Sequence, residues 1–328
     1  MTHGFKLARR IARLRAAAAA VFVFAAACES DTLSETESVV DNAVTDGSDV
    51  TAVEDAAFSV SSRRNGTPFG LWRLEYAQLG EQWTSLKKTG SPTRILQDLA
   101  IARSQGARVF VQLAGGPSNY KTSSGKFDLE KFKQLLNRYK GVNLDSYITD
   151  GTLAGHMMID EPNDPSNWGG QPISYATLEA AAKHSKSLWP KLPTLLRSKP
   201  TWLAKAPFRW QYLDGGWGQY AARFGDVNRY RDTEALAAQN AGLKVVFGVN
   251  VLDGGNGSSG TTGTKSGSYN MSAAELLKYG KSLLAASGSC GFLMWRYDSK
   301  YLSKSSVSSA VKELRSLAGS RSTTTCSS

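Results

Sequence analysis

Histidine and cysteine are scarce in this 328-residue chain, with three of each. His3 lies in the opening segment, His156 begins an apolar strand-like run and His184 falls inside a helical pattern. That leaves little for a Ser-His-Asp triad or a His-rich zinc site. No Cys-x-x-Cys occurs, and the Gly-rich stretch Gly254–Ser268 lacks the Gly-x-x-x-x-Gly-Lys-Ser/Thr phosphate-binding pattern. No metal centre and no cofactor are therefore expected, although a carboxylate-ligated Ca²⁺ or Mg²⁺ stays open. The apolar run Ala16–Ala27 is too short to span a bilayer comfortably.

Acids are missing from residues 1–28, which carry Lys6, Arg9, Arg10, Arg13 and Arg15 ahead of that apolar run. A basic stretch, a short apolar stretch and small residues at the exit predict an export signal. The exit Ala25-Ala26-Ala27-Cys28 resembles a bacterial lipoprotein signal, in which Cys28 becomes the lipidated N-terminus; cleavage after an Ala-x-Ala site is the alternative. Residues 29–57 reverse the pattern, with nine acids and no Lys or Arg. Such a one-sign, weakly hydrophobic segment is expected to be a disordered tether. Removing the five bases of 1–28 and the nine acids of 29–57 from totals of 39 and 28 leaves 34 against 19, a net +15. Lys and Arg are scattered rather than clustered, and export leads away from nucleic acid, so an anionic envelope polymer or acidic polysaccharide is the expected partner. Cys290 and Cys326 remain as a possible pair in an oxidising compartment, or Cys290 is simply a small buried residue.

Residues 58–319 read as one domain of alternating strands and helices, with a Ser/Thr-rich tail over 320–328. Strands are expected at Phe69–Tyr76, Arg108–Ala114, around Met157–Ile159, at Leu192–Arg197, Trp210–Asp214, Lys244–Val251 and Gly291–Trp295. Helical spacing marks residues 92–106, Phe127–Tyr139, Tyr175–Leu188, Asp226–Ala241, Ser272–Ala286 and Ser305–Leu317. This alternation implies a parallel sheet, and the length suits a single (β/α)8 barrel, a TIM barrel. Seven strands are counted; an eighth is sought near Leu144–Ile148 or Gly216–Phe224.

The central stretch is Gly155-His-Met-Met-Ile-Asp-Glu-Pro162, an apolar run that stops at two carboxylates and a proline. Buried parallel strands read as continuous apolar runs, and barrels place their chemistry at the strands' C-terminal ends. Alternation along a strand predicts that only one of Asp160 and Glu161 faces the mouth, and Glu161 is the candidate. The other carboxylates at expected strand ends are Glu75, Asp214, Asp253 and Asp298. Glycoside hydrolysis needs two carboxyl groups, about 5–5.5 Å apart for retention or 6.5–9.5 Å for inversion. Glu161 is the expected acid, Asp214 the preferred second group and Asp253 the next choice; a loop cap is the alternative for each Asp. Trp72, Tyr76, Trp168, Trp217, Trp295 and Tyr297 lie at or just after strand ends, where aromatic faces stack on sugar rings. Arg197 is expected to bind an acidic sugar or to pair with a carboxylate.

The alternation, the Asp-Glu-Pro at the end of a middle strand and the final strand ending in Trp295 together resemble a glycoside-hydrolase-type (β/α)8 barrel. Ile159–Pro165, an Ile-Asp-Glu-Pro-x-Asp-Pro stretch, is similar to one carried by bacterial secreted barrel proteins. The resemblance covers Pro68–Leu317. In the large retaining clan of such enzymes strand four ends Asn-Glu-Pro, which implies Glu161 as acid/base and puts Asp160 where the clan has Asn. That clan's nucleophile is a Glu ending strand seven, where this chain has Asn250, Leu252 and Asp253. The resemblance implies a polysaccharide-directed hydrolase; separately, the chain is expected to be a monomer, exported through its opening segment and held at the membrane if Cys28 is lipidated. The alternative is a barrel that binds glycans, or serves the envelope structurally, without catalysis.

Overall fold

The computed structural model describes residues 65–80, 82–322 and 324–327. The expected export signal, Cys28 and the acidic tether lie outside the described residues. Eight strands, all parallel, close into a barrel in chain order. They are β1 (Phe69–Trp72), β2 (Ser85–Thr89), β3 (Arg108–Gln112), β4 (Leu153–Asp160), β5 (Thr194–Arg197), β6 (Gly215–Tyr220), β7 (Lys244–Val249) and β8 (Ser289–Met294). The helices are α1 (Ile95–Ser104), α2 (Leu129–Asn137), α3 (Asp145–Thr149), α4 (Tyr175–Leu188), α5 (Pro200–Leu203), α6 (Val227–Asn240), α7 (Ala273–Leu284), α8 (Ser299–Leu302) and α9 (Ser305–Gly319). The expected (β/α)8 barrel is therefore the fold.

Two placements differ from the sequence reading. The eighth strand is β2, Ser-Leu-Lys-Lys-Thr, and the segment near Leu144–Ile148 is instead the short helix α3. Among the described residues a single 3₁₀ turn, Tyr76–Gln78, replaces the helix between β1 and β2, so those strands follow each other closely. Trp210–Asp214 is not a strand, and pairing begins at Gly215 against Leu195 and Lys244. Gly-Gly-Trp-Gly reads as a turn, but here the missing side chains permit close packing. A Cβ on Gly215 would sit 2.5 Å from the Lys244 carbonyl, and one on Gly216 2.7 Å from the Ser198 carbonyl.

Side chains divide between two apolar regions. Leu86, Val109, Val111 and Met158 face the helices with Leu99, Phe132, Leu178 and Leu283, forming the outer layer. Phe110, Met157, Leu195, Trp217, Val246, Cys290 and Leu293 fill the barrel itself. Phe110 takes its place beside Gly155 and Gly291, whose added Cβ atoms would each lie 3.2 Å from its ring. Large and small residues thus alternate across the interior, the way close packing is reached in a tapered barrel. Cys326 joins this inner cluster, and it is disulfide-bonded to Cys290. The bond staples the tail to the start of β8, the pairing left open by the sequence.

Candidate functional site at the barrel mouth

All eight strands deliver a polar or aromatic side chain to the C-terminal mouth, β7 through Asn250 directly after it. Trp72, Lys87, Gln112, Asp160, Arg197, Trp217 and Trp295 come from or directly follow β1, β2, β3, β4, β5, β6 and β8. Arg197 is the hub. It is buried, its Nε donates to Asp160 Oδ1, and its Nη2 lies 3.0 Å from Glu161 Oε2. Its guanidinium carbon lies 4.5 Å from the Trp295 ring centre, 5.7 Å from that of Trp217 and 5.8 Å from that of Trp72. A planar, weakly hydrated cation with a fork of donors suits this position better than an ammonium would.

Both carboxylates therefore meet one guanidinium, contrary to the expectation that only one would face the mouth. Glu161 breaks the pleat: its φ is +42°, in the left-handed region that side chains with a Cβ avoid. Its amide still donates to the Arg197 carbonyl at 3.1 Å, and its own carbonyl accepts from Trp168 Nε1 at 2.9 Å. These bonds hold the unfavourable conformation, and non-glycine residues kept in it collect at functional sites. Asn167 Nδ2 donates to Glu161 Oε2 at 3.3 Å, and the Glu161 side chain stays 43% exposed. It is the carboxylate that a ligand in the mouth would meet.

Lys87 is a buried residue of the mouth that the sequence reading missed. Only 2% exposed, it donates from Nζ to Gln112 Oε1 at 2.7 Å and lies against the Trp72 ring. Burial pushes its pKa well below the usual lysine value, and the nearby Asp160 charge opposes that shift only in part. The available signal was a pair of lysines in a short Ser-Leu-Lys-Lys-Thr run, where alternation turns one of them inward.

The remaining candidates divide by place. Trp72, Trp217 and Trp295 come together, with Trp72 4.8 Å from Trp295 and 6.0 Å from Trp217 between ring centres. Asn250 lines the same pocket and its Oδ1 accepts from the Asp253 amide at 2.9 Å. Asp214, expected to end a strand, precedes β6 and sits at the opposite end of the barrel. There it accepts from the Thr194 amide at 2.7 Å and pairs with Lys186 at 2.6 Å. Asp253 follows β7 but is turned into its own loop, accepting from the Thr264 and Lys265 amides and from the Thr264 and Ser268 hydroxyls at 2.6–2.9 Å. Burial raises its pKa, and those four donors outweigh that and hold it below the ordinary carboxylate range. Glu75 pairs with Lys88 at 2.7 Å on the surface, beside Tyr76. Asp298 caps α8 through the Tyr301 amide, Tyr297 donates its amide to the Trp72 carbonyl, and Trp168 is buried beneath Glu161.

The mouth holds a pocket of about 270 Å³ lined by Glu161, Arg197, Lys199, Trp217, Gln219 and Arg223 among others. A larger cavity of about 590 Å³ lies at the other end, between the strand starts and the tail. Barrel chemistry resides at the strand C-termini, so the smaller pocket is the candidate site. Among the described residues no group of three or more His, Cys, Asp or Glu is placed to hold a metal ion. His156 lies on the outer side of β4, sharing a 2.8 Å hydrogen bond with Ser185 of α4, and takes no part in the mouth.

No protein-family model matches the chain, and no curated protein matches it in sequence. Solved structures do match in fold. A GH113 β-1,4-mannanase superposes with a TM-score of 0.52 at 11% identity, over 77% of this chain and 99% of that one. A GH2 β-galacturonidase from Eisenbergiella tayi, bound to galacturonate, superposes with a TM-score of 0.50 at 12% identity; the match covers 77% of this chain and only 51% of that one. An endo-β-1,4-mannanase from Thermotoga petrophila gives 0.47 at 11% identity, over 78% and 77%. At these identities the likeness is one of fold: the chain has the (β/α)8 barrel that glycoside hydrolases of this type have.

Proposed function

We propose that the mouth is a saccharide-binding site on a glycoside-hydrolase-like barrel, exported to the cell envelope as a monomer and attached there to a membrane if Cys28 is lipidated. The observation that carries the reading is the convergence of Trp72, Trp217 and Trp295 on Arg197, beside a pocket into which Glu161 projects. Trp72 and Trp295 keep partly exposed faces while Trp217 is buried beneath them, and aromatic faces with a few fixed polar groups are what a sugar ring needs for stacking and orientation. The Cys290–Cys326 bond supports an oxidising compartment, and the opening segment supports export.

Hydrolysis of an O-glycosidic bond, with Glu161 as general acid/base, is the second reading. It is favoured by the position of Glu161 at the end of β4 with an exposed carboxyl group. It is opposed by the shortage of a second carboxylate. Asp214 is at the other end and Asp253 is committed to its loop, which leaves Asp160 on the same guanidinium. The experiment is a panel of polysaccharides and aryl glycosides offered to the protein and to its Glu161→Gln variant, with binding and cleavage measured separately. Binding by both without cleavage supports the saccharide-binding reading. Cleavage lost in the variant while binding persists assigns Glu161 as the acid. Absence of binding and cleavage in both defeats the two readings together.

A further inference from the structure

The pocket is poor in acceptors and rich in donors. Its one acidic lining residue, Glu161, is already paired with Arg197. Two of its three side-chain amide oxygens are in use: Asn163 Oδ1 accepts from the Ser198 hydroxyl at 2.9 Å, and Asn250 Oδ1 from the Asp253 amide. Against this stand two buried donors with no hydrogen-bond partner, Trp217 Nε1 and Gln219 Nε2. Both atoms are enclosed in the barrel wall behind the pocket, so they add donor character around it without facing its opening.

Two cations stand at the same edge. Lys199 follows β5 and Arg223 follows β6, and both line the pocket. Lys199 Nζ lies 3.5 Å from the ring centre of the partly exposed Phe224, and the Arg223 guanidinium 4.9 Å from it. Among the described residues no carboxylate forms an ion pair with either. The acid whose charge acts against the burial of Lys199 is Glu234, which is occupied by the Thr201 amide and hydroxyl at 2.8 and 3.0 Å. Burial, the larger cause, and Arg223 both push the Lys199 pKa down; an added anion would relieve that repulsion.

We infer that the mouth takes an anionic saccharide, its acidic substituent seated at Lys199 and Arg223. This rests on the saccharide-binding reading above and narrows it to a ligand class. The pocket, near the lower end of the roughly 300–1,000 Å³ typical of small-molecule sites, has the size of one sugar unit rather than several. A carboxylate, as in a uronic acid, and a sulfate ester share the required chemistry.

The test is calorimetric titration of the full chain with oligogalacturonate, a sulfated oligosaccharide and a neutral oligosaccharide of equal length. It is repeated on the Lys199→Gln/Arg223→Gln variant and on Lys278→Gln/Lys312→Gln, which removes the same charge from the outer helices. One acidic ligand should bind at least about tenfold more tightly than the neutral one, and the mouth variant should lose about that factor, as expected for charge-assisted hydrogen bonds. The tighter of the two acidic ligands identifies the substituent. Equal binding of acidic and neutral ligands, unchanged in the mouth variant, overturns the inference and leaves the saccharide reading standing. An equal loss in the outer-helix variant also overturns it, because the domain's overall charge then explains the attraction. Failure of every saccharide to bind removes both.

Discussion

Arg197 Nη2 lies 3.0 Å from Glu161 Oε2, so the carboxylate that projects into the mouth is already held by a cation. The same guanidinium bonds Asp160 from below and is flanked by three indoles. Position, charge and stacking all depend on this one side chain.

Replacing Arg197 with Met should cost about 3 kcal/mol or more, because a mostly buried Asp160 loses its cation. Arg197→Lys should cost less stability but still weaken saccharide binding, since a single ammonium cannot serve both carboxylates and stack on Trp295. Thermal unfolding and titration calorimetry on both variants check this. A Lys variant with native affinity would show that charge alone is needed.

Lys87→Met predicts a pH-dependent gain. Burial depresses the folded-state pKa of Lys87 well below its unfolded value. Between those two values the unfolded chain binds the extra proton, so native stability rises with pH across that interval. The Met variant lacks this slope. It should gain most relative to the native protein at the acidic end of the interval and lose that advantage toward pH 10, less the cost of leaving Gln112 Oε1 without its donor. Denaturant midpoints measured from neutral pH upward test it; a constant difference would mean that Lys87 stays charged when folded.

The outer layer of the fold was legible because its elements carry local signals. The helix Tyr175–Leu188 has its apolar spacing and a Ser174 cap, and β3, β4 and β7 are apolar runs. The inner barrel was less so. β2 and β6 place lysine, serine and glycine inside, chosen by neighbours distant in sequence, so Ser85–Thr89 carries no apolar strand signal and Gly215–Gly216 reads as a turn. The misplacement of one strand moved Asp214 from the bottom of the barrel to its mouth. Glu161, Arg197 and Trp295 were legible as strand-end residues, whereas Trp217, expected in a loop after Asp214, lies within β6. The meeting of Asp160 and Glu161 on one guanidinium was not, because it depends on a left-handed backbone at Glu161 that strand alternation does not anticipate.

Asp253→Ala should separate loop order from binding chemistry. Its carboxylate gathers two amides and two hydroxyls from residues 264–268. Without it the Gly254–Ser268 loop should exchange its amide hydrogens and be cleaved by protease much faster, while saccharide affinity at the mouth changes less than about threefold, or under 1 kcal/mol. Hydrogen exchange with peptide resolution reads the loop directly. An intact loop combined with lost affinity would return Asp253 to the site.

His156 predicts where the barrel fails in acid. It is fully buried on the outer side of β4, with its ring near Phe132 and Trp189 and its Nδ1 bonded to Ser185. Burial lowers its pKa from 6.5 to about 3. The unfolded chain takes up a proton as pH falls below 6.5, whereas the folded chain resists until about 3, so stability is lost through that window. The full shift corresponds to a loss on the order of 5 kcal/mol at the acid end. His156→Phe keeps an aromatic ring against Phe132 and cannot be protonated, so its unfolding midpoint should fall less steeply between pH 6.5 and 3 than that of the native protein. At neutral pH it should be similar to or slightly below the native protein, because the Ser185 hydroxyl loses its partner. Parallel acid-unfolding profiles for the two proteins would show that other groups govern the acid limit.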